Sequence, residues 1–144
     1  MKDDDLRKEA LHYAAQDGDI DKVRELIKTG GDLNQFDYPL SWTPLHYAAN
    51  GEHIYIARML IDAGADVNAH NEVEIGETPL GLIAASCSYD IAKVLIDAGA
   101  DPRIPGWMGI SALDRASERK KPEGRSVYEL LDVAARKLDW PNDR

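Results

Sequence analysis

The side chains best suited to chemistry are four histidines, one cysteine and a surplus of carboxylates, in a chain of 144 residues. His12 and His46 stand 34 residues apart in the same setting, Leu-His-Tyr-Ala-Ala, whereas His53 and His70 fall in turns with no partner motif. A structural zinc site gathers about four ligands in closely spaced pairs, and these histidines have no such spacing. No metal is expected. Cys87 lies in Ser86-Cys87-Ser88 near a helix start, yet Asp90 opposes the thiolate that nucleophilic catalysis would need. Asp3-Asp4-Asp5 and the other acids read as a solvated face rather than a catalytic pair, because nothing closes an apolar cleft around two of them. Nucleophile-elbow, Walker and dinucleotide glycine patterns are absent, and Gly106-Trp107-Met108-Gly109 reads as a turn. Neither an enzyme nor a cofactor is expected.

The elements that would hold these residues follow from a repeat. Ile61-Asp62-Ala63-Gly64-Ala65-Asp66 returns 35 residues later as Ile96-Asp97-Ala98-Gly99-Ala100-Asp101, and Ile27-Lys28-Thr29-Gly30-Gly31-Asp32 precedes both. A second ladder keeps the same register through Leu11-His12-Tyr13, Leu45-His46-Tyr47, Leu80-Gly81-Leu82 and Leu113-Asp114-Arg115. Self-similarity at this period means stacked units, none of which buries its apolar face alone.

Each unit reads as a short helix, a tight turn, a second helix and a glycine exit. Thr43 and Thr78 suit N-caps, with Pro44 and Pro79 at the first helical position, where a missing N–H costs nothing. Leu45, Leu60, Leu80 and Leu95 are expected in the core, and Gly64 and Gly99 at positive φ just past helix ends. The first unit opens on Lys8-Glu9-Ala10-Leu11, and its more charged second helix suits a terminal repeat. In the last unit, Lys120-Lys121-Pro122-Glu123-Gly124 reads as an enlarged turn. Its closing helix runs through Val127, Leu130, Leu131, Val133 and Ala134 and stops at Trp140-Pro141.

Thr43-Pro44-Leu45-His46-Tyr47-Ala48-Ala49, followed by Gly64-Ala65-Asp66-Val67-Asn68-Ala69, resembles the ankyrin repeat. The resemblance spans about residues 6–138 and implies an all-α solenoid of about four helix-turn-helix units with β-hairpin-like fingers. It implies one domain over 1–144, with units at about 6–36, 37–70, 71–103 and 104–138 and a short tail, 139–144. It also gives the repeated histidine a structural role, bonding the turns that join units. Gly81 and Asp114 depart from that histidine, and Pro102-Arg103 from Val-Asn.

In such arrays the finger tips and the first helices generally face the partner. Here the fingers carry Phe36, Tyr38, Leu40, Trp42, Val73, Ile75, Trp107, Met108 and Ile110, where polar or small residues are the pattern. Exposed aromatics with Met are the composition of interface hot spots, so these nine are the candidate partner-binding residues. The alternative for each is to fold back onto the helices. Arg115, Arg119, Lys120, Lys121 and Arg125 form a second candidate surface, for an acidic partner or a phosphate, but with Asp114, Glu118 and Glu123 interleaved a solvated cap turn is the preferred reading.

Charge narrows the partner. The net charge is −9, and residues 1–110 hold 9 Lys and Arg against 19 Asp and Glu. Nucleic acid needs a basic footprint and is excluded, leaving a neutral or basic protein partner. One cysteine precludes an intramolecular disulfide, and no signal peptide or membrane span is visible, so a cytoplasmic, monomeric protein is expected. The function expected is non-catalytic protein–protein interaction; the alternative is a small inhibitor or immunity-type protein that blocks a basic enzyme. In a third reading the chain is a substrate, since Asn34 and Asn68 hold the hairpin position hydroxylated in some ankyrin proteins.

Overall fold

Short polar side chains decide where the helices start, because the first amides of a helix have no partner within it. The computed structural model describes residues 9–74 and 76–139, so Asp3-Asp4-Asp5, Ile75 and Trp140-Pro141 lie outside the described residues. The helices are α1 (Ala10–Asp17), α2 (Ile20–Lys28), α3 (Pro44–Asn50), α4 (Ile54–Asp62), α5 (Pro79–Ile83), α6 (Tyr89–Asp97), α7 (Ala112–Ser117) and α8 (Pro122–Asp139). Asp19, Thr43, Thr78, Ser88 and Ser111 each accept a backbone amide at the start of a helix. Thr43 with His46, and Ser111 with Asp114, close reciprocal capping boxes. Asp114 thus supplies in α7 the capping bond that the signature histidine makes in α3.

The helices stack in two layers. Along one, α1 packs on α3, α3 on α5 and α5 on α7; along the other, α2, α4, α6 and α8 follow in turn. Leu45, Leu60, Leu80 and Leu95 are completely buried, as their spacing predicts. Between them lie Ala15, Ala48, Ala49, Ala57, Ala84 and Ala92, also fully buried, whose small size lets the two layers close.

The repeated Gly-Ala-Asp phrase has a double use. Gly64 and Gly99 take φ of 107° and 98°, the left-handed backbone that ends each second helix. The following aspartates then fold the chain outward. Asp32, Asp66 and Asp101 each accept the amide two residues on, at 2.8, 2.9 and 2.9 Å. From there Asn34 and Asn68 reach the next unit, their Oδ1 atoms accepting the amides of Asp66 and Asp101 at 2.7 Å each. At the third copy Arg103 replaces that asparagine and turns instead to the last helix, pairing with Asp139 while its Nε holds Asp101 at 3.0 Å. The guanidinium bond keeps the Asp101 carboxyl below its usual range.

One sequence expectation is corrected. The turn between α7 and α8 is not enlarged through Gly124, because α8 already begins at Pro122 and takes the extra residues as helix. Proline is pre-set for the first helical turn. Gly124 is buried inside α8, where an added Cβ would stand 2.5 Å from the Arg119 Cβ, so glycine lets the turn pack closely on the helix.

Candidate functional site

The fingers are held by side chains that also join the units. In the first, the Asp37 carbonyl accepts the Ser41 amide, and the Asp37 amide donates to the Trp42 carbonyl. The Asp37 carboxylate accepts the Trp42 amide at 2.9 Å and the Tyr47 hydroxyl. Burial, and then that carboxylate, push the Tyr47 phenol well above its ordinary range. In the second finger, Asn71 Oδ1 caps the amides of Val73 and Glu74, and its Nδ2 donates to Ser41 Oγ at 3.2 Å, tying finger to finger. The third is a 3-10 turn over Trp107–Gly109, closed by an antiparallel bridge between Pro105 and Ser111.

The structure sorts the candidate residues into two groups. Tyr38 is 89% exposed and Val73 88%; Leu40, Trp107 and Met108 are also exposed. Phe36, Trp42 and Ile110 are half-buried. Trp42 turns inward, its ring stacked on His46 at 6.3 Å between centroids and edge-on to Tyr47 at 4.9 Å. Trp107 projects outward; its amide donates to Glu77 Oε2 at 3.2 Å and its carbonyl accepts the Ile110 amide at 3.2 Å.

His12, His46 and His53 prove to be joints. His12 Nε2 donates to the Gln35 carbonyl at 2.7 Å, and His46 Nε2 to the Glu77 carbonyl at 2.6 Å, each crossing to the following finger. His46 Nδ1 accepts the Thr43 amide at 3.0 Å, which fixes the proton on Nε2. Burial lowers the His46 pKa to about 4, so the ring is neutral near pH 7. His53 wedges between two turns: an added Cβ on Gly18 or Gly51 would stand 2.8 or 2.6 Å from its ring. Burial also pushes the Cys87 thiol up to about 11, the pKa of an unreactive thiol, beneath an Arg119 guanidinium 3.9 Å away.

Sequence reasoning missed a third kind of joint. Gly81 leaves α5 without the histidine, and the Glu77 carboxylate occupies the space. It accepts from Arg115 Nη2 at 2.7 Å and from the Trp107 amide, so it reaches both the next finger and α7. Added Cβ atoms on Gly81 and Gly106 would lie 2.8 and 2.1 Å from Glu77 Oε1, so both glycines make room for it. The missing histidine and a carboxylate just ahead of Thr78-Pro79 were the available signals. Arg115 and Arg119 are both turned inward, onto Glu77 and onto the Ala84 carbonyl, so the second candidate surface keeps only Lys120, Lys121 and Arg125 as exposed cations.

Among the described residues no three His, Cys, Asp or Glu side chains converge as a metal site, and no helix is long and apolar enough to cross a membrane. The family model for ankyrin repeats in three copies matches residues 1–71, and the single ankyrin-repeat model matches residues 75–107. No curated protein matches the chain.

Proposed function

The chain belongs to the ankyrin-repeat family, generally non-catalytic protein–protein interaction modules, and we propose that it binds its partner on the finger face. One observation carries this reading: three successive fingers, linked through Ser41–Asn71 and Glu77–Trp107, expose Tyr38, Leu40, Val73, Trp107 and Met108. Large apolar side chains held outward on closed turns lose little entropy on docking and remove much apolar area from water. Phe36, Trp42 and Ile110 are half-buried in the first and third fingers, and Ile75 lies outside the described residues. Glu72 and Glu74 flank Val73, and with the net charge of −9 they favour a neutral or basic partner surface.

The test is a triple variant, Tyr38→Ala, Val73→Ala and Trp107→Ala, compared with the parent protein in partner capture and in thermal melting. Loss of capture by about 2 kcal/mol or more at an unchanged Tm supports the finger face. Retention of the same partners with the same affinity removes it.

A further inference from the structure

A second surface lies on the other helix layer and owes nothing to the fingers. The core stripe of α8 is Gly124, Val127, Leu131 and Ala135. Val133 sits midway between Leu131 and Ala135, about 200° around the helix from each, and it is 50% exposed. One turn to either side of it stand Glu129 and Lys137, both exposed and, among the described residues, in no ion pair. Their neighbours Asp132 and Arg136 do pair, at 2.9 Å. Leu130 edges the same face, where α6 and α8 leave a groove of about 690 Å³ lined by Tyr89, Glu123, Ser126, Glu129, Leu130 and Val133.

We propose that this face binds a second copy of the chain, with α8 lying antiparallel on its equivalent about a twofold axis through Val133. Residues equally distant from the axis then oppose one another. Glu129, four before Val133, meets Lys137, four after it, on the second copy, and the exchange is made twice. A parallel pairing would set Glu129 on Glu129 and Lys137 on Lys137, which like-charge repulsion disfavours. Val133 packs on Val133 at the centre, bordered by Leu130 from each copy. The contact is one helix wide, so the dimer belongs to the small, weak class of interfaces. The proposal departs from the monomer expected from the sequence.

Sedimentation equilibrium of the full chain tests this, with self-association expected above about 10 µM and Val133→Glu weakening it at least about tenfold. Glu129→Lys and Lys137→Glu, each alone, set two like-charge pairs across the axis and weaken the dimer by about fivefold. The two together restore the opposite pairing and return the affinity to within about twofold of the parent. Circular dichroism confirms that each variant remains helical. A chain that stays monomeric to about 1 mM overturns the proposal, as does a double swap no better than the single ones.

Discussion

The joint between the second and third units and the joint between the third and fourth perform the same task with opposite chemistry. In the former, neutral His46 is fully buried and bonds Thr43 behind and the Glu77 carbonyl ahead. In the latter, Gly81 removes the imidazole, and the Glu77 carboxylate, 16% exposed, reaches forward to Arg115 and the Trp107 amide. Glu77 therefore serves both, through its backbone in one and its side chain in the other. A buried neutral ring gives directional bonds with no charge to desolvate, whereas the ion pair must offset the desolvation of two charges with good geometry. The finger tryptophans follow their joints. Trp42 packs on His46, while Trp107, among the described residues, lies over no aromatic ring and is exposed.

Acid should separate the two joints most. Folded His46 titrates at about 4 against an ordinary value of 6.5, so below pH 6.5 the unfolded chain binds the proton more tightly. Its contribution to stability is therefore complete above pH 6.5 and is lost as pH falls towards 4, by about 3 kcal/mol. Urea melts across this window should show that loss in the parent and not in His46→Asn. An equal pH slope in both proteins would mean that the ring is not desolvated as described.

The tryptophans offer the next largest contrast. Trp42→Ala strips the ring from His46 and Tyr47 and should cost about 2 kcal/mol of stability, less than a fully buried tryptophan would. Trp107→Ala should cost below about 0.5 kcal/mol, as surface changes usually do. Equal effects would erase the distinction between an inward and an outward finger.

A double-mutant cycle gives the smallest and sharpest reading. Glu77→Gln with Arg115→Gln should show a coupling of about 1 kcal/mol, since the pair is only partly exposed. Glu77→Gln with His46→Asn should be additive within about 0.5 kcal/mol, because His46 bonds only the Glu77 backbone. Coupling of the same size in both cycles would show that the joints are not chemically separate.

Most of the fold was legible because its instructions are short-range. Caps such as Thr43, the prolines at the first helical position, the exits at Gly64 and Gly99, and the leucine stripe act within one helix or one turn. The site was legible only in part. The resemblance to the ankyrin repeat located the fingers and their apolar composition marked them, but whether a ring turns inward depends on what the folded chain places beside it. Nothing near Trp42 or Trp107 in the sequence distinguishes stacking on His46 from projection into solvent. The basic run was misleading for the same reason, since Arg115 and Arg119 find partners 38 and 35 residues away.

The sequence by itself determined the period, the caps and hence a helical array, because a repeat that cannot bury its own apolar face must stack. Only the tertiary structure decided that Glu77 replaces a histidine, and that the extra residues of the last unit lengthen α8. It alone showed that Val133 stands exposed with the exposed charges of Glu129 and Lys137 one turn to either side. Those outcomes depend on which distant groups come within a few ångströms, and such meetings arise only after the stacking has set the distances.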